Sequence, residues 1–183
     1  MNRVQKFLIV FILIIPGNTS FIAVKAQEAE KNENQFARFS EQSTWVLGYF
    51  NRSQITRQPH SEWFTKRYDD YQINTESVNR LLDISQEGIT IKIVMGTWCP
   101  DSRKQVPAFL RLLDIWNFPE TSLTFIGVDD EKQSPVGEYE KLDIQRVPTF
   151  IFYKNNIETG RIIENPVTSL EQDMVNILTG KEK

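Results

Sequence analysis

One thiol is the main chemical handle in this chain. Cys99 is the single cysteine among 183 residues, and His60 is the single histidine. Cys99 follows a β-branched apolar run at 89–95 and stands just before a segment of helical periodicity that opens with Pro100. A sulfur at that junction faces the free backbone N–H groups and the positive dipole end of the helix, which favour an anion. A thiolate held there is a nucleophile toward a disulfide sulfur. Arg103 and Lys104 add positive charge nearby, and the Ser102 hydroxyl is placed to donate a hydrogen bond to the sulfur. Asp101 opposes this with a negative charge whose expected role is to stabilise the helix start.

The same counts exclude other chemistry. A lone cysteine forms no internal disulfide, and a lone histidine removes most His-based metal sites and weakens any His-centred triad. His60 follows Pro59 in a polar loop and reads as a surface residue. The acidic stretch Asp129-Asp130-Glu131 lacks the alternating ligands and turn glycine of a calcium loop, and reads as solvated. No phosphate loop or dinucleotide fingerprint is present. We therefore expect no metal and no cofactor. A net charge of −3 without a basic block argues against a nucleic-acid surface.

The elements that must position Cys99 follow from periodicity. The run 89–95 is short, apolar and β-branched, the mark of a buried strand. Beyond Pro100, which suits a first helical position, Val106, Phe109, Leu110, Leu113 and Trp116 share one face; Pro107 lies inside that helix and should kink it. Residues 123–128 read as a strand and 137–142 as a short helix. Residues 149–153 form a further strand, which turns at 154–156 onto an antiparallel partner at 161–163, and a final helix carries Leu170, Met174, Ile177 and Leu178. Upstream, Asn74 is a plausible cap for a helix with Val78, Leu81 and Leu82 on one face. Trp63, Phe64, Tyr68 and Tyr71 form an aromatic stripe best read as docking its helix on the core, with a ligand groove as the lesser alternative. Residues 45–50 fit a strand or the start of a helix. The order predicts an α/β domain with a mixed sheet and helices on both faces.

The first 26 residues read as an address. Arg3 and Lys6 precede an unbroken apolar run at 7–15, and Val24-Lys25-Ala26 offers small residues at a cleavage site. The run is about half the roughly 20 residues that a membrane span needs. Cleavage there would remove three bases and no acid, taking the net charge from −3 to −6. The mature protein is expected to be exported, periplasmic in first place and secreted in second, with no stable membrane span. Residues 27–44 are polar and read as a flexible segment, and 45–74 as a helical and aromatic N-terminal extension ahead of a domain at 75–180. In an oxidising compartment a lone thiol suggests a reactive group or intermolecular pairing, including a disulfide-linked dimer through Cys99.

Trp98-Cys99-Pro100-Asp101-Ser102 resembles the Trp-Cys-x-x-Cys motif of the thioredoxin-like superfamily, and Val147-Pro148-Thr149 resembles its cis-proline loop. Pro148 follows Cys99 by 49 residues, and the order of elements between them also matches. The wording of the motif, with the aromatic segment upstream, is similar to exported thioredoxin-like proteins of the Bacteroidetes group. The resemblance implies a thioredoxin-like fold over about 75–180. It makes Cys99 the attacking thiol and Trp98 the rim of a substrate groove, with Pro148 in cis and the backbone of Val147 set to pair with an incoming peptide. The partners it implies are proteins or low-molecular-weight thiols and disulfides. Two departures qualify it. Ser102 occupies the resolving-cysteine position, so a mixed disulfide on Cys99 needs an outside thiol to release it. Ile93 stands where many members carry a buried acid. These features point to monothiol disulfide exchange or isomerisation. A redox-inactive module that holds a peptide in the cis-proline groove is the alternative. A thiol peroxidase ranks below both, because Gly96 stands where such enzymes place a threonine.

Overall fold

The computed structural model describes residues 44–181, together with Gln27, Glu30 and Lys31. The chain divides into two units, Met1–Ser40 and Glu41–Lys183. The leader expected over 1–26 and most of the polar segment at 27–44 lie outside the described residues. Among the described residues no helix is long and apolar enough to cross a membrane.

Five strands form one mixed sheet in the order β1-β3-β2-β4-β5. They are β1 (Gly48–Phe50), β2 (Ile89–Met95), β3 (Leu123–Gly127), β4 (Thr149–Lys154) and β5 (Ile157–Ile163). β2 runs parallel to β3, and the other three pairings are antiparallel. The helices are α1 (Ser61–Asp70), α2 (Thr75–Leu82), α3 (Pro100–Ile115) and α4 (Leu170–Thr179).

The two faces of the sheet carry different cores because successive strand residues point to opposite sides. Ile91, Ile93 and Met95 of β2 join Phe125, Phe150 and Phe152 in the larger cluster, which also takes apolar residues from all four α-helices. Phe109 of α3 stacks on Phe150 at a centroid separation of 4.1 Å; such a pair adds about 0.5–1.5 kcal/mol beyond its buried area. Val94 and Ile126 face the other way, into a smaller cluster with Val128, Val136, Tyr139, Val147 and Cys99. That face is covered by the short 3-10 helix Tyr139–Leu142, where the sequence suggested a helix over 137–142.

Local signals explain the boundaries. The Asn74 side chain accepts from the Ser77 N–H and caps α2, as its residue type suggests. Ser169 does the same for α4 through the Gln172 N–H, and Gly180 ends that helix in the left-handed region. α3 begins at Pro100, with Cys99 as its N-cap, and continues through Pro107. β5 starts at Ile157, four residues earlier than periodicity indicated, because Asn155 and Asn156 both adopt positive φ and close a two-residue hairpin.

The segment at 45–50 resolves as a strand: β1 pairs with the β3 edge. The approach is close enough that a Cβ on Gly127 would lie 2.0 Å from the Val46 carbonyl oxygen, so glycine is required there. The aromatic stripe of α1 packs on the larger cluster through Phe64, Trp63 and Tyr68, with Tyr71 just beyond the helix end. Tyr68 also donates to Asp114 of α3 at 2.6 Å, and Arg52 pairs with the same carboxylate. His60 departs from expectation. It is 5% exposed, with its ring 5.7 Å from that of Trp63. The loop that carries it folds against the start of α1, which local polarity alone does not reveal.

Candidate active site

Cys99 sits at the N-cap of α3 with extended backbone angles, and its carbonyl accepts the Arg103 N–H that opens the helix. Its side chain is 7% exposed. The thiol donates to the Val147 carbonyl across 3.3 Å, joining the two sequence motifs in one place. The Val147–Pro148 peptide bond is cis. Thr149 is buried and its hydroxyl donates to the Arg146 carbonyl at 2.6 Å, fastening the loop to the start of β4.

The turn at 96–99 is held on several sides. The Cys99 N–H donates to the Gly96 carbonyl. The Thr97 hydroxyl accepts the Val46 N–H at 3.2 Å, and the Thr97 carbonyl accepts from Arg103 Nε at 2.5 Å. Trp98 is half-buried, donates from its indole Nε1 to the Val128 carbonyl at 3.0 Å, and lies across Gly96. A Cβ on Gly96 would come within 2.5 Å of that indole, so the glycine makes room for the tryptophan. Trp45 stands behind it, ring centroids 6.2 Å apart.

Ser102 does not do what its spacing suggested. It is 0% exposed, and its hydroxyl oxygen accepts the Gly96 N–H at 3.3 Å. The sulfur's partner is the Val147 carbonyl instead. Position 102 therefore lies beneath the turn and serves its backbone. Pro100 is exposed and Asp101 half-exposed in the first turn, where a carboxylate complements the helix dipole. Ile93 is fully buried in the larger cluster, so the strand offers no acid there.

The wall around Cys99 is apolar: Val94, Ile126, Val128, Val136, Val147 and Tyr139. Tyr139 donates to the Lys132 carbonyl at 2.8 Å, and burial, with Asp129 close by, pushes its phenol up to about 12, so it stays neutral. These wall residues come from positions between 94 and 147 and are apolar in type. Nothing in their local sequence marks them as neighbours of a thiol. The Asp129 carboxylate accepts the Gln133 N–H at 2.7 Å and closes its own loop. Among the described residues no group of histidine, cysteine or acid side chains is placed to hold a metal ion.

The family model for thioredoxin matches residues 50–175, more than half of the chain. The chain belongs to the thioredoxin family. It is 31% identical over 87 residues to thioredoxin H5 of rice (Oryza sativa subsp. japonica), covering 46% of this chain and 59% of the rice protein. It is 32% identical over 99 residues to the putative thioredoxin-5 of Dictyostelium discoideum, covering 52% of this chain and 88% of that one. Among solved structures, a protein of unknown function from Pseudomonas aeruginosa shares the fold with a TM-score of 0.52. It is 11% identical, and the match covers 72% of this chain and 90% of that one. Within the thioredoxin fold described above, Cys99, Trp98 and the Val147–Pro148 loop share one end of the sheet. Ser102 is buried below them.

Proposed function

We propose that this thioredoxin-family protein carries out monothiol disulfide exchange through Cys99. The observation that carries the reading is the placement of its sulfur at the α3 N-cap, 3.3 Å from the carbonyl of the cis-proline loop. In the forward step the Cys99 thiolate attacks one sulfur of a substrate disulfide, R–S–S–R′. A Cys99–S–S–R bond forms and R′–S⁻ leaves with the electron pair of the broken bond. The proton lost by Cys99 passes to solvent, since Ile93 offers no acid. In the second step an external thiolate attacks the substrate sulfur of that bond and releases Cys99 as thiolate. Ser102 cannot supply this step, because a hydroxyl does not replace a thiol in exchange. With two different protein thiols the sequence amounts to isomerisation. We further propose export to the periplasm on the basis of the basic, apolar and small-residue pattern of the first 26 residues.

The burial of Cys99, with its thiol already engaged by Val147, favours a second reading. In that reading the groove beside Pro148 holds a partner segment and the sulfur does no chemistry. Exposure of the native protein to excess glutathione disulfide, followed by intact-mass measurement, separates the two. Exchange adds one glutathionyl group at Cys99, which dithiothreitol removes and Cys99→Ala abolishes. A native protein that takes up no adduct while the denatured chain does would leave only the binding module.

A further inference from the structure

A cleft of about 410 Å³ opens between α1 and the first turns of α3. Its lining includes Pro100, the residue after Cys99, and four cations: Lys66 and Arg67 from α1, Arg103 and Lys104 from α3. Glu62 is the one carboxylate among the lining residues. This concentration runs against a chain whose net charge is −3. Arg103 is committed through Nε to the Thr97 carbonyl, and Lys66 pairs with Asp70 at 2.9 Å on the exposed surface. Lys104 and Arg67 are exposed on facing helices, and both also line the adjoining depression that runs toward Tyr71. The arrangement is long-range in sequence: it exists because α1 docks its aromatic face on α3 and leaves its basic edge beside the active-site turn.

We propose that this cleft holds the carboxylates of a small anionic thiol that resolves the mixed disulfide on Cys99. The inference rests on the monothiol reading above and names the class of its missing reactant. The cleft volume lies within the range of small-molecule sites and is too small for a folded partner. The helix that Cys99 caps also contributes Pro100, Arg103 and Lys104, so the cleft begins at the residue next to Cys99 in the chain. The reaction balances without further reagents. The bound thiolate attacks the substrate sulfur of Cys99–S–S–R, the Cys99–sulfur bond breaks, and Cys99 leaves as thiolate. The small thiol departs joined to R as a disulfide.

The test uses a charge series of thiols on the full protein with Cys99 pre-loaded as a mixed disulfide: mercaptosuccinate, 2-mercaptoethanol and cysteamine, compared at equal thiolate concentration. Mercaptosuccinate is expected to release Cys99 about tenfold faster than 2-mercaptoethanol, given three or four exposed charge pairs of modest individual worth. Cysteamine should be slowest. Raising the salt should erase the preference, because exposed pairs are screened. The triple variant Lys66→Gln, Arg67→Gln, Lys104→Gln should lose the mercaptosuccinate advantage and keep the 2-mercaptoethanol rate. Equal rates for mercaptosuccinate and 2-mercaptoethanol in the unmodified protein overturn the proposal, as does a preference that survives in the triple variant. Succinate, which carries no thiol, gives an independent reading by calorimetry and should bind the unmodified protein and not the triple variant. Succinate binding in a protein whose Cys99 cannot be loaded would refute the exchange reading and reduce the cleft to an anion site without a resolving role. Absence of succinate binding alongside normal release by 2-mercaptoethanol would refute the cleft and leave exchange intact.

Discussion

On the proposed exchange reading, replacing Ser102 with cysteine should turn an externally resolved thiol into a self-resolving pair. Residue 102 is three positions beyond Cys99 in the first turn of α3, is fully buried, and lies beneath the 96–99 turn. The substitution keeps nearly the same shape and exchanges an oxygen acceptor for a weaker sulfur one. The Gly96 N–H loses a neutral hydrogen bond of 3.3 Å, a cost of about 1 kcal/mol. That lowers the melting temperature by about 2–4 °C for a domain of this size. The gain is kinetic. A thiol tethered over a short flexible span has an effective concentration of about 1 mM or more. Against about 10 µM external thiol, release of a loaded substrate should therefore accelerate at least a hundredfold and become independent of the external thiol. The assay loads Cys99 with a chromogenic disulfide and follows release by stopped flow over a range of external thiol concentrations. The unmodified protein should give a release rate proportional to external thiol, and Ser102→Cys a plateau that extends to zero thiol. A folded Ser102→Cys protein whose release still scales with external thiol would refute the reading of position 102 as the resolving position.

Two further predictions concern the frame of the site. Gly96→Ala places a methyl carbon where the Trp98 indole lies, at 2.5 Å. It should cost about 2–4 kcal/mol from overpacking and loss of the Trp98–Val128 hydrogen bond, read by denaturant unfolding and by a change in indole fluorescence. An unchanged midpoint would show that Trp98 is not locked across the turn. His60 is buried, and desolvation lowers its native pKa from the ordinary value of 6.5; a hydrogen bond with the Thr44 backbone opposes this in part, and the charge of Arg103 adds a smaller downward push. Its unfolded form therefore binds more protons as pH falls below about 6.5. Native stability should be full above that value and decline below it. His60→Gln should flatten the slope of stability against pH below about 6.5, measured by urea unfolding at several pH values. An identical slope in the variant would place the titration elsewhere.

The legibility of this protein divides along physical lines. β2, α3 and the cap at Asn74 were readable because they depend on neighbours within a few residues: a short β-branched apolar run, a proline in the first helical turn, a side-chain oxygen three residues ahead of an orphan N–H. The two motifs around Cys99 and Pro148 could be quoted from the chain, since each is a short string of residue types. Their meeting at 3.3 Å depends on β2 pairing with β4, an arrangement of the whole sheet. The partner of Ser102 is likewise set by tertiary structure. Its spacing allowed two partners, and the direction of α3 beneath the turn chose the Gly96 N–H over the sulfur. His60 looked solvated beside polar neighbours, and its burial comes from the way its loop folds against the start of α1, with its ring 5.7 Å from that of Trp63. The basic cleft has the same origin: Lys66 and Arg67 lie more than thirty positions from Arg103 and Lys104, and only the packing of α1 on α3 sets them side by side. Local pattern thus determined which elements form and which thiol stands at a helix end. Tertiary packing alone decided what that thiol touches and which charges surround it, because those contacts join segments that the chain keeps far apart.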